Sequence, residues 1–219
     1  MQEPSPFSLS HPFGPLYFAE GSEEPLSSRS YLVVGEEKAL LFDAGANPAQ
    51  PPSIRLFLGK EPECIAYSHF HADHIGNQSS YPSSHSYGSK MTGRYARVDE
   101  IVASPKTIDL GGLSVTLLPV PSSHAKGCLV LRLDGMEAYL LGDLLSCNVN
   151  RAGNAYYDRS LFYEMDRWLR ALPEDAIFFP GHGGAIEQEP KNQAEMGAFL
   201  SSLESKMKGL KGPFLPWGE

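Results

Sequence analysis

Short apolar runs separated by turn residues divide the chain into many brief strands, with helical periodicity in its second half. Ser30-Tyr31-Leu32-Val33-Val34 and Ala39-Leu40-Leu41-Phe42 flank Gly35-Glu36-Glu37, the pattern of a β-hairpin. Cys128 to Leu133 and Met136 to Leu141 flank Asp134-Gly135, which predicts a second hairpin closed by a tight Asp-Gly turn. Further strands are expected over Cys64–Ser68, Leu113–Val120, Ala138–Gly142 and Ala176–Gly181. Gly111-Gly112 reads as a turn before a strand. Leu161, Phe162, Met165, Trp168, Leu169 and Leu172 recur at helical spacing, and Pro173 ends that helix. Met196, Phe199, Leu200, Leu203, Met207 and Leu210 mark a second amphipathic helix. Both stripes are core faces. The segment Pro213 to Trp217 is irregular, and either packs on the surface or mediates a homo-oligomer contact.

No linker or repeat interrupts this pattern. The length of 219 residues fits one domain, residues 1–219, with ample core. The net charge of −8 argues against a nucleic-acid surface, which needs a basic stripe. Cys64, Cys128 and Cys147 cannot pair fully and lack Cys-x-x-Cys spacing, which fits a reducing compartment. Met1 to Phe18 carries no basic-then-apolar leader pattern, and no run approaches the roughly 18 apolar residues of a membrane span. The expectation is a cytoplasmic protein without membrane contact.

The chemistry concentrates in His69-Phe70-His71-Ala72-Asp73-His74, directly after the strand Cys64–Ser68. Strand alternation puts His69 and His71 on one side, and a helix starting near Ala72 puts Asp73 and His74 in its first turn. One metal rarely takes all four ligands from so tight a stretch, so the spacing suggests two adjacent metals. His124, Asp143 and His182 each follow an expected strand, and strand ends along one sheet edge can meet at one site. Candidate ligands are therefore His69, His71, Asp73, His74, His124, Asp143 and His182. Cys128 and Cys147 read as buried thiols near the site and Lys126 as a solvated lysine. His11 and His85 read as surface residues. Tyr156, Tyr157 and Arg159 lie where a loop covers the site or where aromatics pack.

The order His-x-His-x-Asp-His, then His124, Gly142-Asp143 and Gly181-His182-Gly183, resembles the metallo-β-lactamase superfamily. Asp43-Ala44-Gly45 resembles that family's first motif. The likeness runs from about Tyr31 to Gly184. It implies an α/β chain folded as an αββα four-layer sandwich with a binuclear site on one edge. It also implies that His69, His71 and His124 hold one metal, that Asp73, His74 and His182 hold the other, and that Asp143 bridges them. Asp43 would support the site without coordinating. Two departures stand out. The stretch Pro121-Ser122-Ser123-His124-Ala125-Lys126-Gly127 lacks the glycine that precedes the histidine in many members. The short Ser/Tyr-rich segment Gln78 to Ser89 leaves little room for the usual helix.

Two divalent cations about 3.5–4 Å apart hold a bridging hydroxide at neutral pH, which attacks a carbonyl or phosphoryl centre. Five imidazoles and two carboxylates suit zinc best and tolerate iron or manganese. Asp73 is the candidate catalytic residue, orienting the attacking water or taking its proton. The expected function is hydrolysis of a small-molecule ester, thioester or lactone. Glyoxalase II enzymes resemble the motif set but carry an added glutathione-binding helical region, whereas here 37 residues follow His182 with one clear helix. Antibiotic hydrolysis is disfavoured because Asp143 stands where β-lactamases often use Cys. The runner-up is persulfide dioxygenase chemistry, with one iron on residues matching His69, His124 and Asp143. Phosphodiester hydrolysis and a non-catalytic module of the same fold rank below it.

Overall fold

The computed structural model describes residues 9–150, 152–182, 191–209 and 212–216. The chain opens with β1 (Ser10–Phe13), β2 (Leu16–Ala19), a small hairpin of β3 (Ser22–Glu23) and β4 (Leu26–Ser27), then β5 (Ser30–Val34) and β6 (Ala39–Phe42). Helix α1 (Gln50–Leu58) leads to β7 (Cys64–Ala66), the short α2 (Ala72–Ile75), β8 (His85–Gly88) and β9 (Glu100–Ile101). The second half runs β10 (Lys106–Asp109), β11 (Ser114–Pro119), β12 (Leu129–Leu133), β13 (Ala138–Gly142), β14 (Asn148–Val149) and β15 (Ala155–Asp158). It closes with α3 (Arg159–Arg170), β16 (Ile177–Pro180), α4 (Gln193–Met207) and β17 (Phe214–Pro216).

Two large sheets result, ordered β1-β2-β5-β6-β7-β8-β9 and β10-β11-β12-β13-β16. Each starts antiparallel and turns parallel where a helix makes the crossover: β6 pairs parallel with β7 across α1, and β13 with β16 across α3. The sheets face each other through Val33, Leu40, Phe42 and Ala66 on one side and Val115, Leu117, Leu129, Leu131 and Leu140 on the other. Outward residues of the same strands meet the helices. Leu32, Leu41 and Ile65 pack on Ile54 of α1, while Val130, Tyr139 and Leu141 pack on Phe162, Met165 and Leu169 of α3 and Met196 and Leu200 of α4. The four layers α, β, β, α are those expected. Burial on both faces explains why these strands read as continuous apolar runs.

Local signals set the helix ends. The Asp158 carboxylate accepts from Ser160 N and Leu161 N at the start of α3. At α4, Asn192 Oδ1 accepts from Glu195 N and Glu195 Oε2 accepts from Lys191 N, a reciprocal cap. The apolar stripe of α4 ends at Met207, and Leu210 lies outside the described residues. The segment after His74 holds one turn of 3-10 helix (Gln78–Ser80), in keeping with its stunted length.

Two expectations need correction. Leu133 pairs with Ala138, so residues 134–137 form a longer loop in place of a two-residue Asp-Gly turn. Asp134 is committed elsewhere: its carboxylate takes Arg132 Nε and Thr116 Oγ1, and its N–H donates to Ser114 O. The C-terminal segment is not irregular, since Phe214–Pro216 pairs antiparallel with β15 in a three-stranded sheet. As the edge strand of that sheet it tolerates Pro216, which has no N–H to donate. Trp217 lies outside the described residues. Among those residues no helix is long and apolar enough to cross a membrane.

Candidate metal centre

The candidate ligands meet where strands of both sheets end. Asp43 follows β6, His69 follows β7, Asp143 follows β13 and His182 follows β16, so four groups leave the carboxyl ends of parallel strands. Strand β11 runs in the same sense as β13, two antiparallel steps away, and the loop after it carries His124. The chain turns sharply at each exit. Asp43 itself has φ 64, and Gly142 has φ 53. A Cβ on Gly142 would lie 2.5 Å from Ser68 Cβ, so only glycine lets the two sheet ends close together here.

All seven side chains converge, and in two groups. Ligand atoms of His69, His71 and His124 lie within 4.8 Å of one another, as do those of Asp73, His74, Asp143 and His182. In the first group His124 Nε2 is 3.2 Å from His69 Nε2 and 3.0 Å from His71 Nδ1. In the second, His74 Nε2 is 3.2 Å from Asp143 Oδ1, and His182 Nε2 is 3.1 Å from Asp73 Oδ2 and 3.5 Å from Asp143 Oδ1. Asp143 spans both groups, because its Oδ2 lies 3.5 Å from His124 Nε2. The Gly183 of the family-like triplet lies outside the described residues.

A buried network aims these rings. Asp43, 1% exposed, accepts from Ser68 N, Ser68 Oγ and His74 Nδ1, each at 2.7 Å. Ser68 Oγ gives its one proton to Asp43, so it accepts from His69 Nδ1 at 3.0 Å. His124 Nδ1 donates to Cys147 O at 2.9 Å. Each of these three rings thus has its outer nitrogen occupied and turns Nε2 toward the cluster centre, where it offers a lone pair once it is a free base. His74 Nε2 is fully buried and has no hydrogen-bond partner among the described residues. A buried nitrogen left so, among converging lone pairs and two carboxylates, fits a divalent cation.

The two groups differ in charge. Burial, reinforced by His74, holds His69 well below the usual imidazole range, and burial with His124 also lowers His71. Burial opposes charge on His74 too, but the Asp43 and Asp143 carboxylates outweigh it and hold His74 well above that range. For His182, hydrogen bonds to Asp143 and Asp73 outweigh burial and push it up to about 9. Burial disfavours the Asp143 anion, yet His74 and His182 keep it well below the usual carboxylate range.

A cavity of about 530 Å³ opens on the cluster, lined by Leu26, Cys147, Asn148 and Val149 besides His71, Asp73, His124, Asp143 and His182. The sequence offered no direct sign of Leu26, Asn148 or Val149, which come from short loop strands. Tyr156, Tyr157 and Arg159 do not line this cavity. The Tyr157 hydroxyl is buried and donates to Leu145 O, Tyr156 packs edge-on to Phe214, and Arg159 Nε donates to Gly212 O. Cys147 is half-buried at the cavity, Cys128 is buried with its thiol toward Ala125 O, and Lys126, His11 and His85 are exposed.

Residues 24–78 match the family model described as the metallo-beta-lactamase superfamily. That segment holds Asp43 and the whole His69–His74 run. Similar solved structures include a metallo-beta-lactamase from Pontibacter korlensis (TM-score 0.68, 19% identity, covering 90% of this chain and 98% of that one). Another is the metallo-beta-lactamase GOB-18 from Elizabethkingia meningoseptica (TM-score 0.64, 17% identity, 94% of each chain). The fold is that of these metallo-beta-lactamases, and the family model matches residues 24–78 of the chain. No curated protein matches it. Within this fold, the His/Asp groups above are able to hold metal ions.

Asp43 touches His74 directly and His69 only through Ser68 Oγ, on the side of each ring away from the cluster centre. Asp43→Asn is expected to weaken metal binding by about 10- to 100-fold, the range for partners behind a ligand. The loss in His71→Ala should be larger. Competition with a chromophoric chelator would rank the two variants, and equal loss would contradict a supporting role.

Proposed function

We propose that the protein is a metal-dependent hydrolase that holds two divalent cations, zinc best and iron or manganese as substitutes, and cleaves a small neutral ester, thioester or lactone. The observation that carries this reading is Asp143, whose two oxygens face the two groups separately, Oδ2 toward His124 and Oδ1 toward His74 and His182. His69, His71 and His124 would hold one cation, Asp73, His74 and His182 the other, with Asp143 shared. Bound there, the pair of cations would activate water and polarise the scissile carbonyl. Asp73 reaches the cavity with its side chain 16% exposed and is the carboxylate placed to orient the water or accept its proton.

The mouth supports the substrate class. Leu26 and Val149, 58% and 59% exposed, are apolar, Asn148 is an uncharged polar group, and among the described lining residues none is Lys or Arg. A phosphodiester would want a cationic partner there, so a neutral acyl compound suits the site better. The test is a panel of esters, thioesters, lactones and phosphodiesters. Turnover is expected on neutral acyl compounds. Turnover confined to phosphodiesters would overturn the substrate class, and oxygen uptake with a persulfide in place of hydrolysis would overturn the reaction.

A further inference from the structure

Gln50, the first residue of α1, is 2% exposed, and its amide is fully engaged. Oε1 accepts from Ser27 Oγ at 2.9 Å, and Nε2 donates to Glu20 O at 3.0 Å and to Ser28 O at 2.7 Å. Glu20 precedes the β3–β4 hairpin and Ser28 follows it, so one side chain ties both legs. The loop after Asp43 is shaped around this amide: Gly45 has φ 65, and a Cβ there would fall 1.9 Å from Gln50 Oε1. The second leg continues into the candidate centre, where Ser28 N donates to Asp73 O at 3.0 Å and Arg29 N to Gly181 O at 2.7 Å. The hairpin carries Leu26 to the cavity, while Gln50 does not line it.

We propose that Gln50 is a positioning residue for substrate recognition: by clamping both legs of the hairpin it fixes Leu26 over the centre, where Leu26 contacts the acyl group. The recognition half rests on the hydrolase reading; the clamp does not. Gln50→Glu keeps the shape and the acceptor for Ser27 but turns two donations into contacts between oxygens.

The test uses the metal-loaded full chain and compares Gln50→Glu, Leu26→Ala and the double variant on p-nitrophenyl butyrate and acetate. Each single change is expected to raise KM for the butyrate by about 10-fold, the scale of a methylene or two in an apolar pocket. Metal content should stay within about twofold in both variants, and KM for the acetate should rise less than KM for the butyrate. Because both act through one contact, the double variant should be no worse than the worse single. A glutamate-specific protease should cut after Glu23 faster in Gln50→Glu and no faster in Leu26→Ala. Additive penalties, loss of metal, or unchanged cleavage at Glu23 would overturn the proposal. Should Gln50→Glu not fold, Ser27→Ala removes the Oγ–Oε1 contact together with the acceptor for Ala46 N and Asn47 N, and should shift KM and cleavage in the same direction. If the unaltered chain turns over no ester, the hydrolase reading fails, and the protease result still decides the clamp.

Discussion

Asp143→Ala is expected to be the most damaging single change, with hydrolysis falling by roughly 10²- to 10⁴-fold and metal lost from both groups. The carboxylate lies between His74, His182 and His124, and its side chain is 10% exposed. Removing one member of a buried charged set costs about 3–5 kcal/mol, because the others are left uncompensated. At about 1.4 kcal/mol per tenfold, that is the stated range. His182→Ala removes a group from one side alone and should deplete one metal more than the other. Elemental analysis of both variants checks the ranking. An unchanged metal count in Asp143→Ala would mean that it does not bridge.

Stripping with a chelator is expected to abolish activity, and refilling should depend on pH in a way set by the charge asymmetry of the site. His69 and His71 are held below the usual imidazole range, so they meet a cation as free bases. His74 is held above that range and His182 sits at about 9, so near neutral pH both carry protons that an incoming cation must displace. At about pH 6 zinc should fill the three-histidine group first, near one per chain, and by about pH 8 approach two, with proton release in the second step. Stability of the metal-free chain follows the matching sign. A raised histidine stabilises the folded state fully below the ordinary value of 6.5, and that contribution fades as pH rises through about 9. Zinc titration at the two pH values, with proton release followed in weak buffer, tests this. Equal loading at both would contradict the asymmetry.

The convergence of the candidate ligands was legible in the sequence because the His69–His74 run, His124, Asp143 and His182 each follow an apolar strand, and strand ends on one edge of a sheet meet. The strands and helices were legible as apolar runs and stripes, and their four-layer arrangement only through the resemblance carried by the motif order. What stayed hidden depends on contacts distant in sequence. Gln50 looks like any polar residue at a helix start until Glu20 and Ser28 fold onto it. Leu26 lies on a two-residue strand too short for periodicity to register. Asp134-Gly135 carried a strong local turn signal that lost to the contacts of Asp134 with Arg132 and Thr116. The pairing of Phe214–Pro216 depends on a partner strand more than fifty residues earlier.

Whether two cations share Asp143 is decided by the metal-to-chain ratio of the protein as it cleaves an ester. Elemental analysis of that preparation should find about two divalent ions per chain, falling to about one in His74→Ala. A folded, metal-free protein with full activity would rule out the shared pair, as would one holding a single iron that His74→Ala leaves in place.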